Sequence, residues 1–287
     1  MTAAPVLLSI VTPVYNGERF IASCLENVIS QECPVVEHLI IDGGSTDGTV
    51  VIVRSYAERY DHIRCISEKD RGQSDAMNRG IALAQGRILG FLNVDDFYEP
   101  EVLNRVAELL MELPEPVFLV GNCNVIDAAD MLLFVNRPAR LRLQDILLAP
   151  TINPWPINPS AYFYSKSLHE RVGLYDLREN FALDLEFLLR ALPAAHVRYR
   201  DEIWGNFRLI EGTKTFCDKE SGNNLNRIDA VLASFRKELP PLIQRYFSLY
   251  RAAVLLGHWC GYYRKPRLFT RVLAAKLRRR FGGNRVT

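Results

Sequence analysis

Four apolar runs, at residues 6–11, 37–42, 62–67 and 88–92, open the chain, and each is followed by polar residues. Their length and β-branched content are typical of buried parallel strands. The segments between them carry apolar residues at helical spacing, for example Ile21, Leu25 and Val28. This βαβαβαβ order predicts a mostly parallel α/β sheet with helices on both faces.

Polar side chains stand where three of these strands should end: Asn16, Asp42 and the pair Asp95 and Asp96. The carboxyl ends of parallel strands share one edge of the sheet, where ligands bind in open α/β folds. Carboxylate oxygens suit Mg²⁺ or Mn²⁺, ions that also carry substrate phosphates. An isolated Asp-Asp pair often only decorates a turn, but the convergence of three strand ends favours a ligand site.

The pattern changes after residue 100. It predicts a helix at 102–111, strands at 117–126, 131–135, 161–164, 197–200 and 206–209, and a helical stripe with Asp184 in its first turn. An acid in that position also complements the helix dipole. We therefore expect a catalytic domain at 1–218, made of a nucleotide-binding half (1–100) and an acceptor half (101–218), followed by a helical extension at 219–287.

Composition adds a few limits. The chain has 287 residues, 48% of them hydrophobic and 24% charged, as in an ordinary globular protein. Its six cysteines show no CxxC and no metal-ligand spacing, so we expect reduced thiols and a cytoplasmic protein. Residues 5–11 fit a first strand better than a signal peptide, and no apolar run reaches the ~18 residues of a membrane span.

The end of the chain is strongly basic. From Arg264 onward there are nine Lys or Arg residues and no acid, interleaved with Leu and Phe. This pattern suits an anionic membrane surface, which would make the protein peripheral on the inner face of the cell membrane. The alternatives are a helix that packs on its own domain or on a second subunit, and, ranked last, a nucleic-acid patch, because nothing else resembles a nucleic-acid module. The sequence leaves the oligomeric state open.

The glycine loop at 43–48 has neither the GxGxxG pattern of dinucleotide-binding folds nor the GxxxxGK[ST] pattern of P-loops. An NAD-type oxidoreductase is therefore disfavoured.

Three blocks, at residues 9–16, 39–49 and 90–96, resemble the signature blocks of the family 2 inverting glycosyltransferases, which have the GT-A fold. The resemblance runs from about residue 7 to about residue 215. It implies a metal-dependent enzyme of hexosyltransferase type, as found in polysaccharide biosynthesis. Such an enzyme moves a sugar from a nucleotide-sugar donor, here expected to be UDP-linked, to a hydroxyl of a glycan or a lipid-linked acceptor.

The resemblance also implies roles for individual residues. Asp184 matches the family's catalytic base, with Glu186 as its rival, and Asp95 and Asp96 match its Mn²⁺ or Mg²⁺ motif, with Asp96 as the expected direct ligand. Asp42 would accept a hydrogen bond from the base of the nucleotide. Asp95 is expected at the nucleotide-sugar as well as at the metal, and the remaining residues expected there are Thr12, Pro13, Tyr15, Asn16, Asp70 and Arg71.

The chain departs from the family pattern at three positions. Gly43 stands where many members have a second Asp, Met77 where an Arg is common, and Ile210 where many have a His. We therefore expect base recognition to rest on Asp42 alone, Arg71 or Lys214 to meet the diphosphate, and the metal to have one protein ligand fewer. The alternative function is a catalytically silent sugar-nucleotide-binding or scaffolding protein at the membrane surface, against which the presence of both Asp96 and Asp184 argues.

Overall fold

The structure of the protein is a computed structural model that describes residues 5–148, 154–179, 181–213, 216 and 223–259. Its strands are β1 (Leu8–Val14), β2 (Val36–Asp42), β3 (Ile63–Ser67), β4 (Ile88–Phe91), β5 (Phe97–Tyr98), β6 (Val117–Ile126), β7 (Leu132–Asn136), β8 (Tyr162–Ser165) and β9 (His196–Arg208). Its α-helices are α1 (Glu18–Ile29), α2 (Thr49–Ala57), α3 (Gln73–Leu83), α4 (Val102–Met111), α5 (Leu143–Leu148), α6 (Leu168–Val172), α7 (Leu183–Ala191), α8 (Asn223–Lys237) and α9 (Pro241–Trp259).

The nine strands form one sheet in the order β3-β2-β1-β4-β8-β6-β9-β5, with β7 paired to β6. β1 to β4 are parallel, and β6 and β9 run in the same direction. β8, β5 and β7 run against their neighbours. The predicted α/β sheet of the GT-A type is thus confirmed, with its parallel part at the N-terminal end of the chain.

One long strand replaces two predicted ones. β9 is continuous from His196 to Arg208, whereas the sequence pattern predicts separate strands at 197–200 and 206–209. Polar residues at 200–202 hide the strand from a hydropathy pattern, and the register between β6 and β9 shifts around Asn122. A β-bulge of this kind disturbs the alternation of apolar and polar residues.

Helices cover both faces of the parallel strands. α1 and α2 pack over Val14, Ile40 and Ile63 on one face. α3 packs on β1 and β2, so closely that a Cβ on Gly80 would lie 2.3 Å from Cγ1 of Val11. The larger core cluster joins α1 and α4 to β1, β4, β6 and β8. The carboxyl ends of β1, β2 and β4 are left at one edge of the sheet.

The chain divides into two compact units, Met1–Phe235 and Arg236–Thr287. The domain boundary predicted at 218/219 lies outside the described residues, as does the basic segment 264–287. Within the second unit, Nε2 of Gln244 donates to the carbonyl oxygens of Lys237 and Leu239. No helix in the described ranges has the length and apolar character needed to cross a bilayer. The four cysteines within those ranges (Cys24, Cys33, Cys65 and Cys123) are free thiols.

Candidate functional site

A cavity of about 710 Å³ opens at the carboxyl ends of β1 and β4, beside the N-terminus of α3. Of the residues expected at a nucleotide-sugar, Pro13, Tyr15, Asn16, Asp70 and Asp95 line it. The other described lining residues are Val14, Gly17, Phe20, Gly43, Lys69, Gly72, Gln73, Ala76, Asn93, Val94, Phe207, Gly212 and Thr213.

The loop after β1 is fixed by the loop after β2. Asn16 has a positive φ of 51°, a conformation that Asn tolerates better than most residues. Its Oδ1 accepts a hydrogen bond from the amide of Thr46 (2.9 Å), and its own amide donates to Oγ of Ser45 (2.7 Å). One wall of the cavity is therefore pre-formed by two loops that hold each other.

Thr12 lies elsewhere than expected. Its side chain is on the face of β1 that packs on α1, fully buried, with Oγ1 2.9 Å from Nε2 of His38 and 3.8 Å from Sγ of Cys24. Successive strand residues point to opposite faces of a sheet, so Thr12 supports the interior while Pro13 faces the cavity.

Asp42 is also buried, at the end of β2. Its carboxylate accepts hydrogen bonds from the amides of Gly44 and Ser45 (both 3.1 Å), from the hydroxyl of Ser45, and from Oγ of Ser67 (2.7 Å). Asp42 thus fixes the conformation of the 43–45 loop by hydrogen bonds. It is not among the described residues that line the cavity.

Asp70 occupies the space that a side chain at position 43 would need. A Cβ built on Gly43 would lie 2.6 Å from Oδ2 of Asp70, far inside van der Waals contact. Oδ1 of Asp70 accepts a hydrogen bond from the amide of Gly72 (2.9 Å). Gly43, a departure from the family pattern, is therefore what lets the Asp70 carboxylate stand against the second loop in the cavity wall.

α3 directs its N-terminus at the cavity through Gly72 and Gln73. A helix N-terminus favours anions because its first amides lack intrahelical partners and the helix dipole is positive there. Lys69 is the only basic residue among the described lining residues. Arg71, expected at the diphosphate, is not among the described lining residues. Its side chain is 71% exposed and paired to Asp75 (3.2 Å).

The adjacent acids Asp95 and Asp96 have different environments. Asp95 lines the cavity, and burial raises its pKa. Asp96 is 2% exposed and lies in the interior, where burial and the neighbouring Asp95 raise its pKa to about 8. The Asp96 carboxylate accepts hydrogen bonds from Nδ2 of Asn93 (2.9 Å), Nδ2 of Asn158 (2.7 Å) and the amide of Arg208 (3.1 Å). The Asp96 side chain thus holds three chain segments together, whereas Asp95 is the acid that lines the cavity. The expectation that Asp96 is the direct metal ligand stays a prediction.

The side chains at this point suit a hard cation. Asp95, which carries a carboxylate, and Asn93, which carries a side-chain amide, both line the cavity, and Mg²⁺ typically takes one or two carboxylates together with substrate phosphates. In the described ranges no group of three or more His, Cys, Asp or Glu residues is placed to hold a metal. Substrate oxygens would therefore have to supply the remaining ligands of a cation bound here.

The two candidate bases, Asp184 and Glu186, differ in their hydrogen-bond partners. Glu186 forms a two-pronged ion pair with Arg190, with N–O distances of 2.6 and 2.7 Å. Asp184, in the first turn of α7, accepts a hydrogen bond on Oδ1 from the hydroxyl of Tyr162 (2.7 Å). Tyr162 is fully buried, and burial raises its pKa well above the usual value, so its hydroxyl remains a hydrogen-bond donor.

The segment that leads into α7 is tied to α3. The side-chain amide of Asn78 donates to the carbonyl of Tyr175 and accepts from its amide (both 2.9 Å). Oγ of Ser74 donates to the carbonyl of Glu179 (2.6 Å). Asp184 is not among the described lining residues. The segment before its helix, α7, is nevertheless hydrogen-bonded to α3, whose first turn forms part of the cavity wall.

Sequence reasoning missed several residues at this site. Asn93 lies inside the third motif block, and Lys69 and Gln73 lie within two residues of Asp70 and Arg71, so their positions were a usable signal. No local sequence pattern marked Arg208. Its guanidinium stacks over Phe97 (4.5 Å from guanidinium carbon to ring centroid) and donates to the carbonyl of Asp95 (3.2 Å). Ile210, at the expected position of a histidine, is buried, and Lys214 lies outside the described residues.

Comparison with known families and proteins gives a consistent match. Residues 9–141 match the family described as Glycosyl transferase family 2. A "PGL/p-HBAD biosynthesis glycosyltransferase" of Mycobacterium tuberculosis is 30% identical over 236 residues, covering 76% of this chain and 83% of that protein. An uncharacterized glycosyltransferase of Bacillus subtilis, EpsJ, is 29% identical over 209 residues, covering 68% of this chain and 59% of EpsJ.

Solved structures share the fold at low sequence identity. Staphylococcus aureus TarS 1–349 in complex with UDP-GlcNAc has a TM-score of 0.64 at 18% identity, covering 93% of this chain and 78% of that one. The mannosyltransferase PcManGT of Pyrobaculum calidifontis, in complex with GDP-Man and Mn²⁺, has a TM-score of 0.51 at 17% identity, covering 99% and 91%. At these sequence identities, the similarity to both structures shows a shared fold.

The contrast between the two acids predicts different effects on stability. Asp96→Ala leaves three N–H groups without their acceptor in the interior, so we expect the free energy of unfolding to fall by about 2–4 kcal/mol. Asp95→Ala removes a carboxylate at the cavity wall and should change it by less than about 1 kcal/mol. Urea unfolding of both variants at neutral pH measures this, and equal losses would contradict the assignment of Asp96 as the anchor.

Proposed function

Because the chain belongs to glycosyl transferase family 2, we propose that it is an inverting glycosyltransferase that transfers a hexosyl group from a UDP-linked sugar to an acceptor hydroxyl. The observation that carries the proposal is the cavity at the ends of β1 and β4, which combines two interlocked loops, a helix N-terminus and a cavity-facing carboxylate. An anionic nucleotide diphosphate matches this set of groups.

The nucleoside part is proposed to lie against the first two loops. Tyr15 is largely exposed beside Asn16 and offers a ring face to a base or sugar, while Asp70 offers a carboxylate in the wall next to Gly43. Asp42 keeps its proposed role in base recognition through the loop it holds, since its own carboxylate is already hydrogen-bonded four times.

The diphosphate part is proposed to lie between Lys69, the N-terminus of α3 and Asp95. Lys69 takes the role that the sequence assigns to Arg71, because Lys69 lines the cavity whereas Arg71 is not among the described lining residues and pairs with Asp75. A Mn²⁺ or Mg²⁺ ion held by Asp95 would stabilise the negative charge that develops on the leaving nucleoside diphosphate. Asn93 is the proposed second contact, and Asp96 orients both residues.

Asp184 is the proposed general base. It takes the proton of the acceptor hydroxyl as that oxygen forms a bond to the anomeric carbon of the sugar, while the bond from that carbon to the diphosphate oxygen breaks and the nucleoside diphosphate leaves with the electron pair. Attack from the side opposite to the leaving group inverts the anomeric centre. The Tyr162 hydroxyl stabilises the carboxylate form of Asp184 through a charge-assisted hydrogen bond.

The acceptor is proposed to be a hydroxyl of a glycan or a lipid-linked sugar. The basic segment 264–287 is proposed, from its sequence alone, to hold the cytoplasmic enzyme at an anionic membrane surface.

The first test measures sugar-nucleotide binding. Thermal-shift measurements with UDP-, GDP-, dTDP- and CMP-sugars, with and without Mn²⁺, should show selective stabilisation by a UDP-sugar that grows with the metal. Gly43→Ala should weaken that binding by roughly tenfold or more, because the new methyl group displaces the Asp70 carboxylate. Asp95→Ala should remove the gain from Mn²⁺.

Gly48→Ala is the matched control. A Cβ there would also meet a carboxylate oxygen, that of Glu18 at 2.5 Å, but neither residue is among the described lining residues. Absence of stabilisation by every sugar-nucleotide in the panel would sink the proposed function. Equal effects of the two glycine substitutions would remove Asp70 from the binding site.

A second test separates binding from chemistry. Asp184→Asn keeps the size of the side chain but cannot accept the proton, so turnover should fall by roughly 10²–10⁴ with little change in sugar-nucleotide affinity. Tyr162→Phe should lower turnover by roughly tenfold and move the acidic limb of the pH–rate profile upward, because the carboxylate form loses a stabilising hydrogen bond. Release of UDP is the readout, with water or a glycan as the acceptor.

Glu186→Gln serves as the control for these variants, since it alters the neighbouring carboxylate that pairs with Arg190. Near-normal turnover of Asp184→Asn, together with an inactive Glu186→Gln that still binds the sugar-nucleotide, would reverse the assignment of the base.

A further inference from the structure

Four consecutive large apolar side chains are exposed on the hairpin formed by β6 and β7. Met131, Leu132, Leu133 and Phe134 are 65%, 56%, 52% and 51% exposed. On a strand with one buried face, alternate residues would be covered. Here neighbours on both faces are exposed, so neither face of this stretch is covered by the described part of the chain.

The exposed stretch lies close to the cavity. Phe134 is in register with Val125 of β6, and Val125 is in register with Phe207 of β9, which lines the cavity. Two steps across neighbouring strands place the Cα atoms of Phe134 and Phe207 about 10 Å apart. The sheet therefore carries the apolar stretch on the side of the cavity mouth.

The hairpin is also held to the site by charge. Oδ1 of Asp130, in the turn between β6 and β7, pairs with Nε of Arg208 (2.8 Å), whose main-chain amide donates to Asp96. The other acid of this turn, Asp127, accepts hydrogen bonds from the amides of Ala129 and Met131. Both acids of the turn are thus engaged in holding the hairpin.

Basic residues follow the apolar stretch. Arg137, Arg140 and Arg142 are exposed directly after β7. Arg137 pairs with Asp201 (2.6 Å), whereas Arg140 and Arg142 form no ion pair within the described residues. An apolar strip followed by two arginines that pair with no described acid is complementary to the interface of an anionic bilayer, where apolar side chains meet the acyl chains and cations meet the headgroups.

We propose that residues 131–134 are a membrane-contacting element that inserts into the interface of an anionic bilayer and presents the adjacent cavity to an acceptor carried on a lipid. This inference rests on the proposed function and narrows the acceptor to the lipid-linked class. A second copy of the chain is a poorer fit. Pairing along the edge of β7 that no described strand occupies would satisfy its main chain and leave the side chains on both faces exposed.

The test is co-sedimentation of the full chain with phosphatidylcholine vesicles, with and without phosphatidylglycerol. Leu133→Glu/Phe134→Glu should lower the partition coefficient on the mixed vesicles by roughly tenfold or more. The matched control is Val51→Glu/Met111→Glu, which adds the same charge at two apolar residues that are 74% and 77% exposed outside the hairpin. This control should bind nearly as wild type.

Two further readouts make the result specific. Leu133→Ser/Phe134→Ser, which adds no charge, should lower the binding that remains at about 0.5 M NaCl, where the contribution of the basic tail is screened. Phe134→Trp should show blue-shifted, vesicle-dependent emission above that of the three native tryptophans, and Val51→Trp should not.

The outcomes separate this inference from the proposed function. Wild-type vesicle binding that the hairpin variants leave unchanged, or no vesicle binding at all, would overturn the membrane-contacting element, and UDP-sugar stabilisation would still stand by itself. Loss of a dimer in the hairpin variants, seen by light scattering with unchanged vesicle binding, would instead assign the strip to self-association. A chain that binds vesicles through the hairpin but no sugar-nucleotide would refute the proposed function alone.

Discussion

A buried carboxylate, Asp96, has to be satisfied inside the protein, and much of the site is arranged around that requirement. Its three hydrogen-bond donors come from the turn after β4, from the loop before β8 and from the end of β9. Burying a polar group is costly unless it is hydrogen-bonded, so these segments are held together where they meet. The result is a fixed turn in which the next acid, Asp95, faces the cavity.

The same network joins the two parts of the sheet. β1 to β4 are parallel and supply loops, a helix N-terminus and Asp95 to the cavity. β8, β6 and β9 follow in the same sheet and supply Tyr162, the apolar hairpin and Arg208. The main-chain amide of Arg208 donates to the side chain of Asp96, and its guanidinium donates to the main-chain carbonyl of Asp95 and pairs with Asp130 in the hairpin turn. Hydrogen bonds and an ion pair thus join the proposed sugar-nucleotide side, after β1 to β4, to the proposed acceptor side, on β8, β6 and β9.

Local signals in the sequence predicted the parallel half well. β1 to β4 appear as apolar runs, their polar ends mark the cavity edge, and Asp184 falls in the first turn of α7 as expected. The side-chain directions were not predictable in the same way. Thr12 faces α1, and Asp96 faces inward while Asp95 faces the cavity, because a turn and a strand alternation decide each direction rather than the residue type.

Partners distant in sequence account for what the sequence could not predict. Asn158 and Arg208 are 62 and 112 residues from the acid that they contact, and no local pattern links them. The need for glycine at position 43 follows only from the structure, in which the Asp70 carboxylate occupies the space of a side chain there. Likewise, the sequence predicts a strand at 131–135, but only the structure shows that the described residues leave both faces at 131–134 exposed and that this strand lies beside the cavity.

The stereochemistry of the transferred sugar tests the central claim most directly. In a reaction of a UDP-α-sugar with water as the acceptor, proton NMR recorded before mutarotation is complete identifies the anomer of the free sugar that forms first. The account predicts the β-anomer, formed by a single displacement from the side opposite to the diphosphate. First appearance of the α-anomer would contradict inversion, and with it the role of Asp184 as a general base acting across the sugar from the leaving group.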